Sequence, residues 1–463
     1  MDPTLSMMPV PTALRRVSDI YIGLLLSLFL LWTGTGGYET ITESKSRMFL
    51  ILAGAYVVIT LILSLELHLV GRWKIPSPKN LWRRSSLTQK LIFAYWVWSG
   101  VSTILSQTPA ASFFGMGRME GFLAISLYCL TFLLISAFAK PAKWYLALYG
   151  VCISVCCVLA LFQLAGYNPF TLYPEGMFYQ DGFVLYAGKF LGTIGNIDLL
   201  SAVLTLSIPL FWVGVLRLKG KKRFLLLIPL FLCLTVLLTA YVEGGLLGVF
   251  LGALLCLPVV LPKKGRRRRN WTIVVIVVLI FCFVFVYFFG GMFSGFVYEA
   301  HELLHGRWDE DFGSGRLAIW EMVMPLIGER PLLGGGPDTL GLRNDLTFER
   351  FSETLGIMLT SSVDNAHNEY LNIAVNQGLP ALILYLFALL TAAGKWVRRS
   401  SLNSIVAILG AAMLGYCIQA FFGLSSIIST PYFWLAFALL VGNHHGETSQ
   451  NTSYRKKTRR KKA

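Results

Sequence analysis

Charge is scarce in this chain: Asp, Glu, Lys and Arg make up 14% of its 463 residues, and no polar stretch is long enough to fold as a separate soluble domain. A water-soluble protein needs more charge than this to cover its surface, so that class is excluded. Cysteine is absent from every polar segment. Cys129, Cys152, Cys156, Cys157, Cys233, Cys256, Cys282 and Cys417 all lie in apolar runs, so no disulfide is expected. Cys152 and Cys156 share a helix face with no histidine near them, which makes them buried apolar residues rather than metal ligands. The first apolar run is not followed by a small-residue cleavage site, and it is expected to stay as a membrane anchor.

What the chain has instead is apolar length. Its apolar fraction is 55% and its mean hydropathy +0.64. Runs of about 20 apolar residues recur along it, the length a helix needs to cross a bilayer. They are continuous rather than alternating, and backbone groups in lipid must be satisfied within each segment, so the expected fold is all-α, polytopic and membrane-embedded. Twelve helices are expected, at roughly 18–34, 48–69, 88–106, 120–138, 144–166, 195–216, 224–241, 244–261, 271–290, 368–393, 402–423 and 429–443. With the N-terminus inside, 31 of the 40 Lys and Arg fall on inner segments and 9 on outer ones, while 20 of the 24 acids lie outside or at outer helix ends. Basic inner loops are the signature of a cytoplasmic face, and both termini are placed there. The expected organisation is helices 1–9 over residues 1–290, a large extracytoplasmic loop over 291–368, helices 10–12 over 369–443 and a basic cytoplasmic tail over 444–463. The net charge of +16 does not point to nucleic acid. The clusters KKGRRRR from Lys263 and RKKTRRKKA from Arg455 adjoin membrane helices, where they fit anionic lipid headgroups and stop-transfer.

The loop over 291–368 holds the chemistry. GSGRLAIWEMVMPLIGERPLLGGGP begins at Gly313, and from Arg316 it has the pattern of a short amphipathic helix with Arg316 and Trp320 on one face. An arginine held on a helix can grip a phosphate bidentately. The glycines at 334–336 expose backbone N–H groups that could cradle an anion, against the plainer reading of a turn. Arg343 and Arg350 follow among acids, as a solvated face or a substrate contact. VDNAHNEYLNIAVNQGLPAL then carries His367 at the mouth of helix 10, with Asp364, Asn365 and Asn368 around it. Histidine suits proton transfer near neutral pH, and a carboxylate beside it fixes its tautomer. Asn368, Asn372 and Asn376 recur every four residues, a polar stripe that should face the protein interior or a wet cavity. His301 and His305 are also four apart, as helical zinc ligands are, but lack an obvious third ligand, so no metal site is assigned.

These motifs together resemble the O-antigen ligase and polymerase family of bacterial membrane glycan transferases. The resemblance rests on R-x3-W at Arg316 and Trp320, PLLGGG at Pro331 to Gly336, AHNEYL at Ala366 to Leu371 with NQGLPAL behind it, GTIGNIDLLSA at Gly192, GMGRMEGFL at Gly115 and TPYFWLAFALL at Thr430. It extends from about residue 100 onward. It implies a transferase or ligase that moves a glycan from a polyprenyl (undecaprenyl) diphosphate carrier to a lipid, glycan or protein hydroxyl in cell-surface polysaccharide assembly, with no cofactor and no metal. Carried over, Arg316 binds diphosphate and His367 acts as base or positions the acceptor, with Arg118, Lys189, Arg343, Trp320, Asp364 and Asn368 as substrate-binding residues. One segment departs from the pattern. Where the family has T-x-S-R, with an arginine for the diphosphate, this chain has LTAYVEGGLLG with Thr239, Tyr241 and Glu243. Either Arg118 or Lys189 supplies that charge, or the substrate differs, or the chain is an inactive relative.

Two other readings compete. A transporter or flippase of a lipid-linked glycan would suit twelve helices, but the polar residues gather in an outer loop rather than at mid-membrane and no inverted repeat is visible. A membrane scaffold protein would need none of the loop motifs.

Overall fold

The computed structural model describes residues 10–172, 180–181, 184–185, 191–261, 265–309, 312–343, 346–352 and 357–442. Lys189, expected to bind substrate, and the basic tail lie outside the described residues, as do Lys263 and Lys264. The chain begins with α1 (Thr12–Leu24), which runs on through a π-helical turn over Leu25–Phe29. It continues with α2 (Ile41–Leu69), α3 (Pro78–Arg84), α4 (Leu87–Ile104), α5 (Pro109–Phe114), α6 (Phe122–Phe138) and α7 (Lys143–Leu164). A two-residue pair, β1 (Gln180–Asp181) and β2 (Val184–Leu185), precedes α8 (Ile197–Arg217), α9 (Leu227–Ala240), α10 (Glu243–Val260) and α11 (Gly265–Phe289). Then come α12 (Phe296–Leu304), α13 (Phe312–Glu329), the antiparallel hairpin β3 (Thr347–Ser352) and β4 (Ile357–Ser362), and α14 (Glu369–Gln377), α15 (Leu379–Arg399), α16 (Ser404–Gln419) and α17 (Thr430–Val441). Each of the twelve stretches expected from the sequence is largely helical, the one over 368–393 as two separate helices. Among the described residues, seven helices are long and apolar enough to cross a membrane: α2, α7, α8, α9 with its leading 3-10 turn, α10, α11 and α15.

The core forms around α8, whose inward and outward faces are both buried from Leu199 to Phe211. A helix apolar all round has no solvent face to keep, so it takes the centre of the bundle. α10 meets α16 closely: a Cβ at Gly252 would lie 2.9 Å from the Gly415 Cα, and one at Gly248 3.0 Å from its carbonyl oxygen. Small residues at such spacing let helix backbones approach in the absence of a hydrophobic driving force. Lys45, counted as an outer-segment base from the sequence, is fully buried in the first turn of α2. Its amine donates to the carbonyls of Phe29 and Leu30, at 2.8 and 3.2 Å, acceptors left open where the helix ends after Leu31.

Two differences from the sequence reading shape the site. The helix expected over 368–393 is broken: α14 stops at Gln377, Gly378 takes φ +85, and α15 restarts at Leu379 with Pro380 in its first turn. The glycine run does not cradle an anion. The N–H of Gly334 donates to the Arg330 carbonyl, that of Gly335 to Val375 and that of Gly336 to Asn376, at 2.8, 3.1 and 2.7 Å. Two of these acceptors are the last-turn carbonyls of α14, which the helix itself leaves unsatisfied. The glycines are required by space. A Cβ on Gly334, at φ +62, would lie 2.4 Å from the Asn376 carbonyl carbon, and one on Gly336 would lie 2.6 Å from the hydroxyls of Ser106 and Ser112. Ser102 in α4 and Ser106 just beyond its end donate to the carbonyls of Leu333 and Gly335 and complete the dock. Gly334→Ala is therefore expected to lower stability by at least ~2 kcal/mol, from left-handed strain plus a backbone collision. A thermal midpoint within 1–2 °C of wild type would contradict this.

Candidate active site

Five of the expected residues are drawn together at the α14 end of the bundle. The sequence over 312–329 places Arg316 on a helix only after Gly313, Ser314 and Gly315 take left-handed conformations, so the regular helix starts at Arg316. One turn on, the Trp320 indole N–H donates to the Ala366 carbonyl at 3.0 Å, fixing the helix against the residue before His367. The Arg316 Nη1 donates to the Gly313 carbonyl at 2.6 Å, while its buried Nε has no hydrogen-bond partner. Arg118 reaches the same place from the loop over 115–121. It forms a bidentate ion pair with Asp364, Nε to Oδ2 at 3.0 Å and Nη2 to Oδ1 at 3.2 Å.

His367 stands between these charges. It has φ +46, and its own N–H is held by the Asn365 side chain at 2.9 Å. Its imidazole is held down at about 4, first by burial, then by the positive charges of Arg316 and Arg118, with Asp364 acting the other way. The ring is therefore neutral at physiological pH. Positive φ recurs in the immediate surroundings: Met119 at +56, Ser314 at +59 and Asp338 at +54, all non-glycine residues that adjoin or anchor the charged groups. Backbone strain of this kind persists only where the surroundings over-determine it, and it gathers at functional sites.

The remaining expected residues are placed differently. Asn368 caps α14, its Oδ1 accepting from the N–H groups of Tyr370 and Leu371 at 3.0 and 3.1 Å, and it is 1% exposed. Arg343 lies away from His367, under the glycine turn, where its Nη2 donates to Asn376 Oδ1 at 2.7 Å. Burial and the charge of Arg330 bring it down to about 10. The asparagine stripe forms a ladder, Asn376 Nδ2 donating to Asn372 Oδ1 at 3.1 Å, as its interior placement requires. Glu243 accepts from the Phe296 N–H at 3.1 Å and lies within electrostatic reach of Glu299, whose carboxylate accepts from the Gly313 N–H at 2.9 Å and feels the charge of Arg316. Among the described residues no group of three or more His, Cys, Asp or Glu could hold a metal ion. His301 and His305 each place Nδ1 on a backbone carbonyl, of Val286 and His301, at 3.0 and 2.8 Å.

Sequence reasoning passed over Asp338 and Glu120. Asp338 Oδ2 accepts from the N–H groups of Met116 and Glu120, at 2.7 and 3.2 Å, and so ties down the loop that carries Arg118. A Cβ on Gly115 or Gly121 would strike that closed loop, which explains the G-x-x-R-x-x-G spacing. Glu120 is buried, accepts from the Tyr128 hydroxyl at 2.8 Å and is pushed above the usual carboxylate range by desolvation. It borders a polar cavity of about 40 Å³ shared with Asp338, Glu369, Asn372 and Asn376, room for a few ordered waters. The only local sign of Asp338 was an acid just past the glycine run.

The fold and this cluster define a class: a multi-pass helical membrane protein with two arginines, a carboxylate and a neutral histidine converging beneath one large loop. Residues 228–386 match the family described as O-antigen ligase, and this supports assigning the chain to that family and to glycan transfer in cell-surface polysaccharide assembly. The matched stretch runs from α9 into α15. It includes Arg316, Trp320, Asp364 and His367 and excludes Arg118 and the Gly192 segment. A comparison with curated protein sequences returns no match.

Proposed function

We propose that the chain transfers a glycan from a polyprenyl diphosphate carrier to an acceptor hydroxyl at the outer face of the cytoplasmic membrane. The observation that carries this reading is the convergence of Arg316, with an unmatched buried Nε, and Arg118 on a half-buried, neutral His367. The twelve helices cross the membrane twelve times in this reading, both termini inside, in keeping with 31 of 40 basic residues on the inner segments. The cluster then faces outward, where carrier-linked glycans and their acceptors meet.

The step needs no metal. The acceptor oxygen attacks the anomeric carbon, the bond from that carbon to the carrier diphosphate breaks, and the diphosphate departs with the electron pair. His367 takes the acceptor proton. Arg316 and Arg118 neutralise the charge that grows on the leaving group. Arg118 stands in for the arginine missing from LTAYVEGG. The same arginines make His367 a weak base when the site is empty, so an arriving diphosphate, by offsetting them, raises its basicity once the donor is in place.

Asp364 occupies Arg118 until the donor arrives, and afterwards steadies the imidazolium. Asp364→Asn is expected to lower the donor KM about fivefold, because Arg118 is freed, and to lower kcat about tenfold, because the protonated histidine loses its counter-charge. An unchanged donor KM would contradict the role given to the ion pair. The activity itself is tested with purified protein in detergent, a carrier-linked oligosaccharide and an acceptor. Glycan appears on the acceptor, as a ladder for a polymerase or a single added chain for a ligase, and no product from competent substrates would overturn the proposal.

A further inference from the structure

At the opposite end of the bundle lies a second cavity of about 100 Å³ that the transfer reaction does not use. It is separated from the Arg118 loop by the 17 residues of α6, about 25 Å at 1.5 Å per residue. Its walls are apolar, formed by Leu26, Leu146, Leu206, Leu409 and Leu439 among others, from α1, α7, α8, α16 and α17. Along α7 it runs from Lys143 to Tyr149 and along α17 from Tyr432 to Leu439, which makes it a slot about 10 Å long parallel to the helices. An apolar void of this size stays dry and takes up apolar matter when it can.

One rim of the slot is cationic. Lys143 lines the mouth, Lys140 precedes it, and Lys219 follows Leu218 of the lining. All three are exposed, and no acid is paired with them among the described residues. Asp19, whose partner Tyr145 lines the slot, is engaged by Arg15 at 4.0 Å and by the Tyr145 hydroxyl. An alkyl slot running along the helix axes, with Lys143 at its mouth and the exposed Lys140 and Lys219 next to lining segments at the same end, matches a phospholipid in direction and charge.

We propose that this slot holds the headgroup-proximal part of one acyl chain of an anionic phospholipid of the inner leaflet, with its phosphate on Lys140, Lys143 and Lys219. The inference rests on the membrane embedding and not on the transfer chemistry. The carrier lipid is a poor fit, since its diphosphate belongs a helix length away at Arg316.

Native mass spectrometry of the full chain, released from nanodiscs of equimolar phosphatidylglycerol and phosphatidylcholine with identical chains, tests it. Wild type is expected to retain one phosphatidylglycerol per chain. Ala436→Phe, which fills the slot, is expected to cut that retention to below about one fifth. The lysine variants Lys140→Gln, Lys143→Gln and Lys219→Gln leave the slot open and are expected to reduce the preference for phosphatidylglycerol about fivefold each. Three results would each overturn the proposal: equal retention of the two lipids by wild type, full retention by an Ala436→Phe chain whose thermal midpoint matches wild type, or a retained mass that is the polyprenyl carrier. Were Ala436→Phe to misfold, the lysine series alone decides, because an unchanged lipid preference across it removes the headgroup site.

Discussion

His367→Ala is expected to lower the rate of glycan transfer by about 10²–10⁴, the range that a positioned general base supplies, while the protein still inserts and keeps a thermal midpoint near wild type. The side chain makes no hydrogen bond that holds elements together. The backbone around it is fixed by the Asn365 and Asn368 side chains and by the Trp320 bond to Ala366. The pH dependence follows from the same surroundings. In the free protein the imidazole titrates at about 4, so it is neutral and able to accept a proton at every pH above that. Below it, the ring is already protonated and transfer must fall. The acid limb of kcat/KM is therefore expected near pH 4, and that of kcat higher, because bound diphosphate offsets the two arginines. A His367→Ala protein of wild-type activity, or one that keeps the acid limb of the parent, would remove His367 from the chemistry.

Arg316→Lys should cost at least ~10² in kcat/KM for the carrier-linked donor, as expected when a preorganised donor to a developing anion is lost. The guanidinium divides its work. One end, Nη1, is anchored on the Gly313 carbonyl, and the buried Nε is left without an acceptor. A buried donor without a partner is costly in an empty site and gains most when an anion arrives. A lysine carries one compact ammonium and cannot both hold the Gly313 turn and face the diphosphate with a planar fork. The loss is expected in donor KM as well as in kcat. Unaltered donor KM with Lys at 316 would mean that the diphosphate is held elsewhere.

Much of this arrangement was legible in the sequence, and what was not has identifiable causes. The helical stretches followed from the length of apolar runs. Arg316 and Trp320 shared a face because the helical period puts residues four apart together, and a helix does run on from Arg316. The break at Gly378 was hidden because NQGLPAL is flanked on both sides by residues that suit a helix. The N–H groups of the glycine turn, which take up the last carbonyls of α14, allow the helix to stop there. The glycine run stayed open between an anion cradle and a plain turn for the same reason. A run of three glycines shows that N–H groups are accessible, but not that the end of α14 will claim them. The pairing of Arg118 with Asp364 spans 246 residues and leaves no local trace, and Asp338 acts on a loop more than 200 residues earlier. Arg343 looked equivalent to Arg316 as an isolated arginine in the same loop. What separates them is three-dimensional: one faces a histidine, and the other is used under the turn by Asn376.

The account as a whole stands on one stoichiometry. Purified protein would be given a carrier-linked oligosaccharide and an acceptor in the presence of a chelator, and both the transferred glycan and the freed carrier diphosphate would be counted. One carrier diphosphate per glycan transferred from wild type, and neither from His367→Ala, is the predicted result. Equal turnover by the two proteins, or carrier release without transfer to the acceptor, would contradict it.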